Sequence, residues 1–83
     1  MSIEWRQWNG EWAGYVDAKQ VGTVWFYAPG LGEWQGFVLL HAREHGPGDY
    51  DVKVTVSRDS PKDVMAELER MYGEMIAMMK GGL

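Results

Sequence analysis

Residues 60–80 read SPKDVMAELERMYGEMIAMMK, and the rest of the chain is organised around this run. Ser60 is a favoured helix N-cap, Pro61 suits the first helical position, and Asp63 completes a capping-box-like S-x-x-D. Val64, Leu68, Met71, Met75 and Met78 then recur at spacings of four and three. Met65, Tyr72, Ile76 and Met79 widen that stripe into a broad apolar face. Lys62, Glu67, Arg70, Glu74 and Lys80 fall on the opposite face, and Gly81 and Gly82 end the run. One helix is therefore predicted over about 60–80. Everything before it reads as short strands that need a surface to pack on.

Ile3 to Trp8 is the first of these strands. Asn9-Gly10 follows, a dipeptide suited to a two-residue hairpin loop whose central positions both need a positive φ. Such a loop sets Trp8 opposite Glu11, Trp5 opposite Gly14 and Ile3 opposite Val16. One face then carries Ile3, Trp5, Trp12 and Val16, the natural core set. The other carries Glu4, Arg6, Trp8, Glu11, Ala13 and Tyr15. Asp17 to Gln20 is a polar turn. Val21 to Ala28 is a third strand, apolar on both faces, as in strands that are central or covered. If Val16 pairs with Val21, then Val21, Thr23, Trp25 and Tyr27 face the core. Val24 and Phe26 then lie outside, beside Ala13 and Trp8.

Pro29 to Gly32 punctuates the chain as a turn. Trp34 to Leu40 is a fourth strand, in which Gly36 marks a bulge or a close approach to an aromatic ring. His41 to Gly48 is a polar loop. From Tyr50 to Ser57 the residues alternate, with Tyr50, Val52, Val54 and Val56 inward and Asp51, Lys53, Thr55 and Ser57 toward water. The fold class is α+β: an antiparallel meander of four to five strands with one C-terminal helix packed on a face.

The 83 residues suffice for a single domain over 1–83 with one modest core. Cysteine is absent, which removes disulfides and thiolate metal sites. No secretory leader pattern and no membrane-length apolar run is evident, so the expected location is cytoplasmic. The formal charge of −4 disfavours general attraction to phosphate backbones. Five tryptophans stand out, four of them before residue 30. Tryptophan fills a thin core effectively because each ring buries a large area.

Chemistry-bearing patterns are sparse. His41 and His45 form H-x3-H near Glu44, Asp49 and Asp51, but Gly46, Pro47 and Gly48 argue for a solvated loop rather than a ligand-bearing helix. The G-x-G pairs at Gly30–Gly32 and Gly46–Gly48 do not open a helix, so neither has phosphate-cradle context. No catalytic, cofactor or metal residue is assigned, and the chain is read as non-enzymatic. Arg6, Trp8 and Tyr15 on one sheet face suit base stacking, yet eight basic residues are interleaved with twelve acids. Arg6 beside Glu4 and Glu11 reads equally as a wet charge pair. The apolar stripe of the helix is wider than a thin sheet needs, so Tyr72, Ile76 and Met79 are candidates for an oligomer interface, with methionines adapting to the partner.

The run W-x6-W-x-G-Y-V from Trp5, then V-G-T-V from Val21, and finally S-x-D-S-P-x-D-V before an amphipathic helix resembles small proteins encoded by bacteriophages and other mobile elements. These are strand-rich with one C-terminal helix, and some are anti-CRISPR proteins and other inhibitors of host defence. The resemblance lies in layout over most of the chain and implies action by covering a nucleic-acid site or protein interface on a host complex. The expected function is accordingly a protein-binding module of this inhibitor kind. Its expected partner is a host nucleoprotein or defence complex, with a homodimer as a further association and no membrane partner. The expected contact residues are Glu4, Arg6, Trp8, Glu11 and Tyr15, with Asp49 and Asp51 behind them. The alternative is a small nucleic-acid-binding sheet domain.

Overall fold

The computed structural model describes residues 3–28 and 32–80. Five strands, β1 (Glu4–Trp8), β2 (Glu11–Val16), β3 (Lys19–Tyr27), β4 (Glu33–His41) and β5 (Asp51–Arg58), precede one helix, α1 (Pro61–Lys80). The sheet is antiparallel throughout, in the order β1-β2-β3-β4-β5, so each strand pairs with its neighbour in sequence. The helix packs across β3, β4 and β5 on one face only. This is the α+β meander expected from the sequence. Of the turn expected at Pro29 to Gly32, residues 29–31 lie outside the described residues, as do Gly81 and Gly82, the expected stop of the helix.

The helix starts as its first residues dictate. Asp63 N–H donates to Ser60 Oγ at 3.2 Å, and Val64 N–H donates to the Ser60 carbonyl at 3.2 Å. Val64, Leu68, Tyr72 and Ile76, spaced four apart, form the buried ridge against the sheet. Met65, Met71, Met75 and Met79 flank it, partly buried. Met78 departs from the expected stripe and is 77% exposed. It sits about 100° around the helix from the middle of the ridge. The ridge also corrects the interface expectation. Tyr72 is 2% and Ile76 7% exposed, so this chain's own sheet already occupies them. Of the three helix residues named for a second copy, only Met79 keeps accessible surface.

The first hairpin forms in the expected register, with Trp8 opposite Glu11 and Trp5 opposite Gly14. Asn9 and Gly10 hold φ of 51° and 78°. The second hairpin differs. Its loop is only Asp17-Ala18, both at positive φ (51° and 66°), and Val16 pairs with Lys19 rather than Val21. The register shifts beside Gly14 and Tyr15, leaving Val21 as the extra residue of a bulge, after which Gly14 pairs with Gly22 and Trp12 with Val24. A one-residue slip turns every later side chain of a strand to the other face. Val24 is accordingly in the core at 0% exposure, and Thr23, Trp25 and Tyr27 turn away from the helix.

The helix-side surface of the sheet is built from two rows that cross all five strands. One is Gln7–Trp12–Val24–Gly36–Val56 and the other Trp5–Gly14–Gly22–Val38–Val54. At Gly36 the helix comes close to the sheet: a Cβ there would lie 2.8 Å from Val64 Cγ1, Val24 Cγ2 and the Thr23 carbonyl. The close approach is therefore to an aliphatic helix residue rather than an aromatic ring. α1 does not extend over β1 and β2. There the Trp5 ring lies down on Gly14, and Trp5 and Trp12 close the core in place of a second helix. Ile3, 5% exposed, ties this corner to α1 by donating its N–H to Glu69 Oε1 at 3.2 Å.

The segment between β4 and β5 is more ordered than a solvated loop. His41 ends β4, Ala42–Glu44 form one 3₁₀ turn, and Ala42 is buried, with its N–H donating to the Tyr50 carbonyl at 2.8 Å. Tyr50, expected to face inward, precedes β5 and is 56% exposed.

Candidate functional site

Among the described residues nothing covers the face of the sheet opposite α1, and this face is the most distinctive surface of the molecule. Strand alternation and register place on it Glu4, Arg6 and Trp8 from β1, Glu11, Ala13 and Tyr15 from β2, and Thr23, Trp25 and Tyr27 from β3. Gln35, Phe37, Leu39 and His41 follow from β4, and Asp51, Lys53, Thr55 and Ser57 from β5. The central row, Arg6–Ala13–Thr23–Phe37–Thr55, is small in the middle. Ala13 and Thr23 are thus small side chains at the middle of the face, with Trp8 and Trp25 on one flanking row and Tyr15 on the other.

The aromatic groups are ordered by specific contacts. Trp25 and Phe37 meet edge to face, with ring centroids 5.9 Å apart. Lys53 Nζ lies 4.5 Å from the Phe37 centroid, and the Arg6 guanidinium 5.2 Å from that of Tyr15. Arg6 also pairs with Glu4 at 2.9 Å. Trp8 is 77% exposed and Tyr27 43%. Phe26, 53% exposed, belongs to the helix side, where its ring meets Trp34 at 5.4 Å near the end of the sheet.

The expected contact residues divide into four groups. Glu4, Arg6 and Tyr15 form one cluster on the open face, and Trp8 pairs with Glu11 at the end of the same face. Asp51 lies on that face at the far edge, where its carboxylate meets His41 Nδ1 at 2.6 Å. Asp49 is separate, exposed in the segment before β5 and 4.0 Å from Arg43. Sequence reasoning missed Trp25, Tyr27, Phe37 and Lys53 as part of this surface. Trp25 and Tyr27 were lost with the register of β3. The signal for Phe37 and Lys53 was the alternation of β4 against β5, which places Phe37 on the water-facing side with Thr55 and next to Lys53.

Two recesses lie elsewhere. An apolar groove of about 720 Å³ opens between the 46–50 segment and the end of α1, with Pro47, Tyr50, Met75 and Met78 in its walls and no charged side chain lining it. A smaller cleft of about 260 Å³ is ringed by Lys19, His41, Glu44, His45 and Tyr72. Lys19 hydrogen-bonds the Glu44 carboxylate and holds it below the usual carboxylate range. Burial, and then the charges of Glu44 and Asp17, raise the Tyr72 hydroxyl above the usual phenol value. Among the described residues no three of His, Asp and Glu gather as metal ligands. Among the described residues no helix is long and apolar enough to cross a membrane.

Compared with protein-family models, curated proteins and solved structures, the chain matches none.

Proposed function

We propose that this chain is a non-enzymatic protein-binding module that uses its open sheet face to cover a site on its partner. The observation that carries this reading is the concentration of Trp8, Tyr15, Trp25, Tyr27 and Phe37 on a sheet face that α1 leaves bare. Large apolar patches on a small protein mark interaction surfaces, and tryptophan, tyrosine and arginine are the usual anchors of protein interfaces. Carboxylates surround the aromatic centre, at Glu4, Glu11, Glu33 and Asp51. Such a rim complements a basic groove and speeds encounter with it. The resemblance of its sequence layout to that of small phage and mobile-element proteins extends the reading to an inhibitor of a host nucleoprotein or defence complex, acting in the cytoplasm.

The test is capture of partners from a bacterial lysate by the tagged chain, with and without nuclease, alongside the variant Thr23→Glu. Thr23 lies in the middle of the open face, so an added carboxylate there obstructs contact with that face without touching the helix side. A discrete protein complex that survives nuclease and is lost in the variant is expected. Capture that is indifferent to Thr23→Glu removes the open face from the reading. A second reading, single-stranded nucleic acid stacking on the same face, draws support from the two cations already seated on Tyr15 and Phe37. Recovery that disappears with nuclease favours it.

A further inference from the structure

The open face places its own cations selectively. Arg6 lies over Tyr15 and Lys53 over Phe37. The two tryptophans of the face, Trp8 and Trp25, receive neither, although indole is the ring to which a cation binds best. Between them stands a carboxylate. Trp8 pairs directly with Glu11, and Trp12 pairs with Val24, so the next residues along those strands, Glu11 and Trp25, are neighbours on the opposite, open face. Among the described residues none of the ion pairs includes Glu11. Trp8, Glu11 and Trp25 therefore present two indoles flanking an unpaired carboxylate, at the end of the sheet away from Lys53 and His41.

We infer that Trp8, Glu11 and Trp25 form a receptor for a guanidinium group, filled by an arginine side chain of the protein partner. A planar guanidinium stacks on an aromatic face while its N–H groups donate to a carboxylate, which is the combination of donors and surface this end of the sheet lacks and can accept. An ammonium group satisfies the charge but not the stacking. The inference rests on the protein-binding reading and names the chemistry that the partner brings to it.

The experiment uses the whole chain and a ligand with a single cation. Nα-acetyl-arginine methylamide is titrated while the five indole N–H resonances are followed by ¹H–¹⁵N NMR, with the citrulline analogue as the uncharged isostere of the probe. Trp8 and Trp25 are expected to move with the arginine compound and stay still with citrulline. Glu11→Gln and Trp8→Ala, both at exposed positions, are each expected to weaken the titration about three- to tenfold. The inference is overturned by equal shifts with citrulline, by shifts confined to Trp5, Trp12 and Trp34, or by variants that titrate like the parent chain. It is also overturned if uridine monophosphate moves Trp8 and Trp25 where the arginine compound does not. If arginine fails to bind while Thr23→Glu still abolishes partner capture, the receptor falls and the binding face stands.

Discussion

Gly36 and Gly73 are both glycines inside regular elements, and their surroundings give them opposite roles. At Gly36 a methyl group would meet Val64, Val24 and a backbone carbonyl, all at 2.8 Å. Val24 and Val64 are fully buried and the carbonyl belongs to a central strand, so none of the three can withdraw cheaply. Gly36→Ala is expected to destabilise the fold by about 1–3 kcal/mol through overpacking. Gly73 lies on the exposed side of α1 with nothing within 4 Å of a built Cβ. There the glycine only adds freedom to the unfolded chain, and Gly73→Ala is expected to stabilise by about 0.5–1 kcal/mol. Urea unfolding of the two variants checks both signs at once. If both substitutions destabilise, the helix surface around Gly73 has a contact that its geometry does not reveal.

The elements were legible in the sequence where local chemistry specifies them. The Ser60 cap and the Val64, Leu68, Tyr72 and Ile76 ridge fix α1 within one or two residues, and Asn9-Gly10 fixes the first hairpin with its register. The second hairpin was not legible, because Asp17-Ala18 takes the positive-φ conformation without the glycine that announces it, and because the bulge at Val21 absorbs a residue afterwards. That single slip had a functional consequence. It put Val24 and Phe26 on the outer face in place of Trp25 and Tyr27, and so hid two of the five aromatic residues of the candidate site. The hairpin also carries a testable strain. Ala18 holds φ of 66°, a conformation that a Cβ disfavours. Ala18→Gly removes that strain and gives back part of the gain as unfolded-state entropy. A net stabilisation of up to about 1 kcal/mol is expected from thermal unfolding, with the β2–β3 amide shifts otherwise unchanged. Loss of stability in this variant would mean that the turn is held by contacts of the alanine methyl.

As a whole the molecule is a thin slab, about 41 × 25 × 18 Å, with a helix on one broad side and aromatic side chains on the other. Its formal charge is −4. On so small a body the charge acts at a distance regardless of which face makes contact, and it falls off within a Debye length of about 8–10 Å in physiological salt. The two effects separate kinetically. Long-range attraction sets how often a partner arrives, and the contacts of the open face set how long it stays. Asp49 and Asp59 are exposed and neither lies in a strand of the open face. Reversing both, Asp49→Lys and Asp59→Lys, brings the protein close to neutrality while leaving Trp8, Glu11 and Trp25 in place. Against a captured partner with a basic surface, the association rate is expected to fall several-fold at low salt and to lose much of its salt dependence. The dissociation rate should stay within about a factor of two, because surface substitutions away from an interface are worth no more than about 0.5 kcal/mol. Surface plasmon resonance at two ionic strengths measures both. An unchanged association rate would mean that the acidic balance takes no part in recognition, and the reading would then rest on the aromatic face alone. A changed dissociation rate would place Asp49 or Asp59 inside the contact, extending it beyond the sheet face toward the β5 edge.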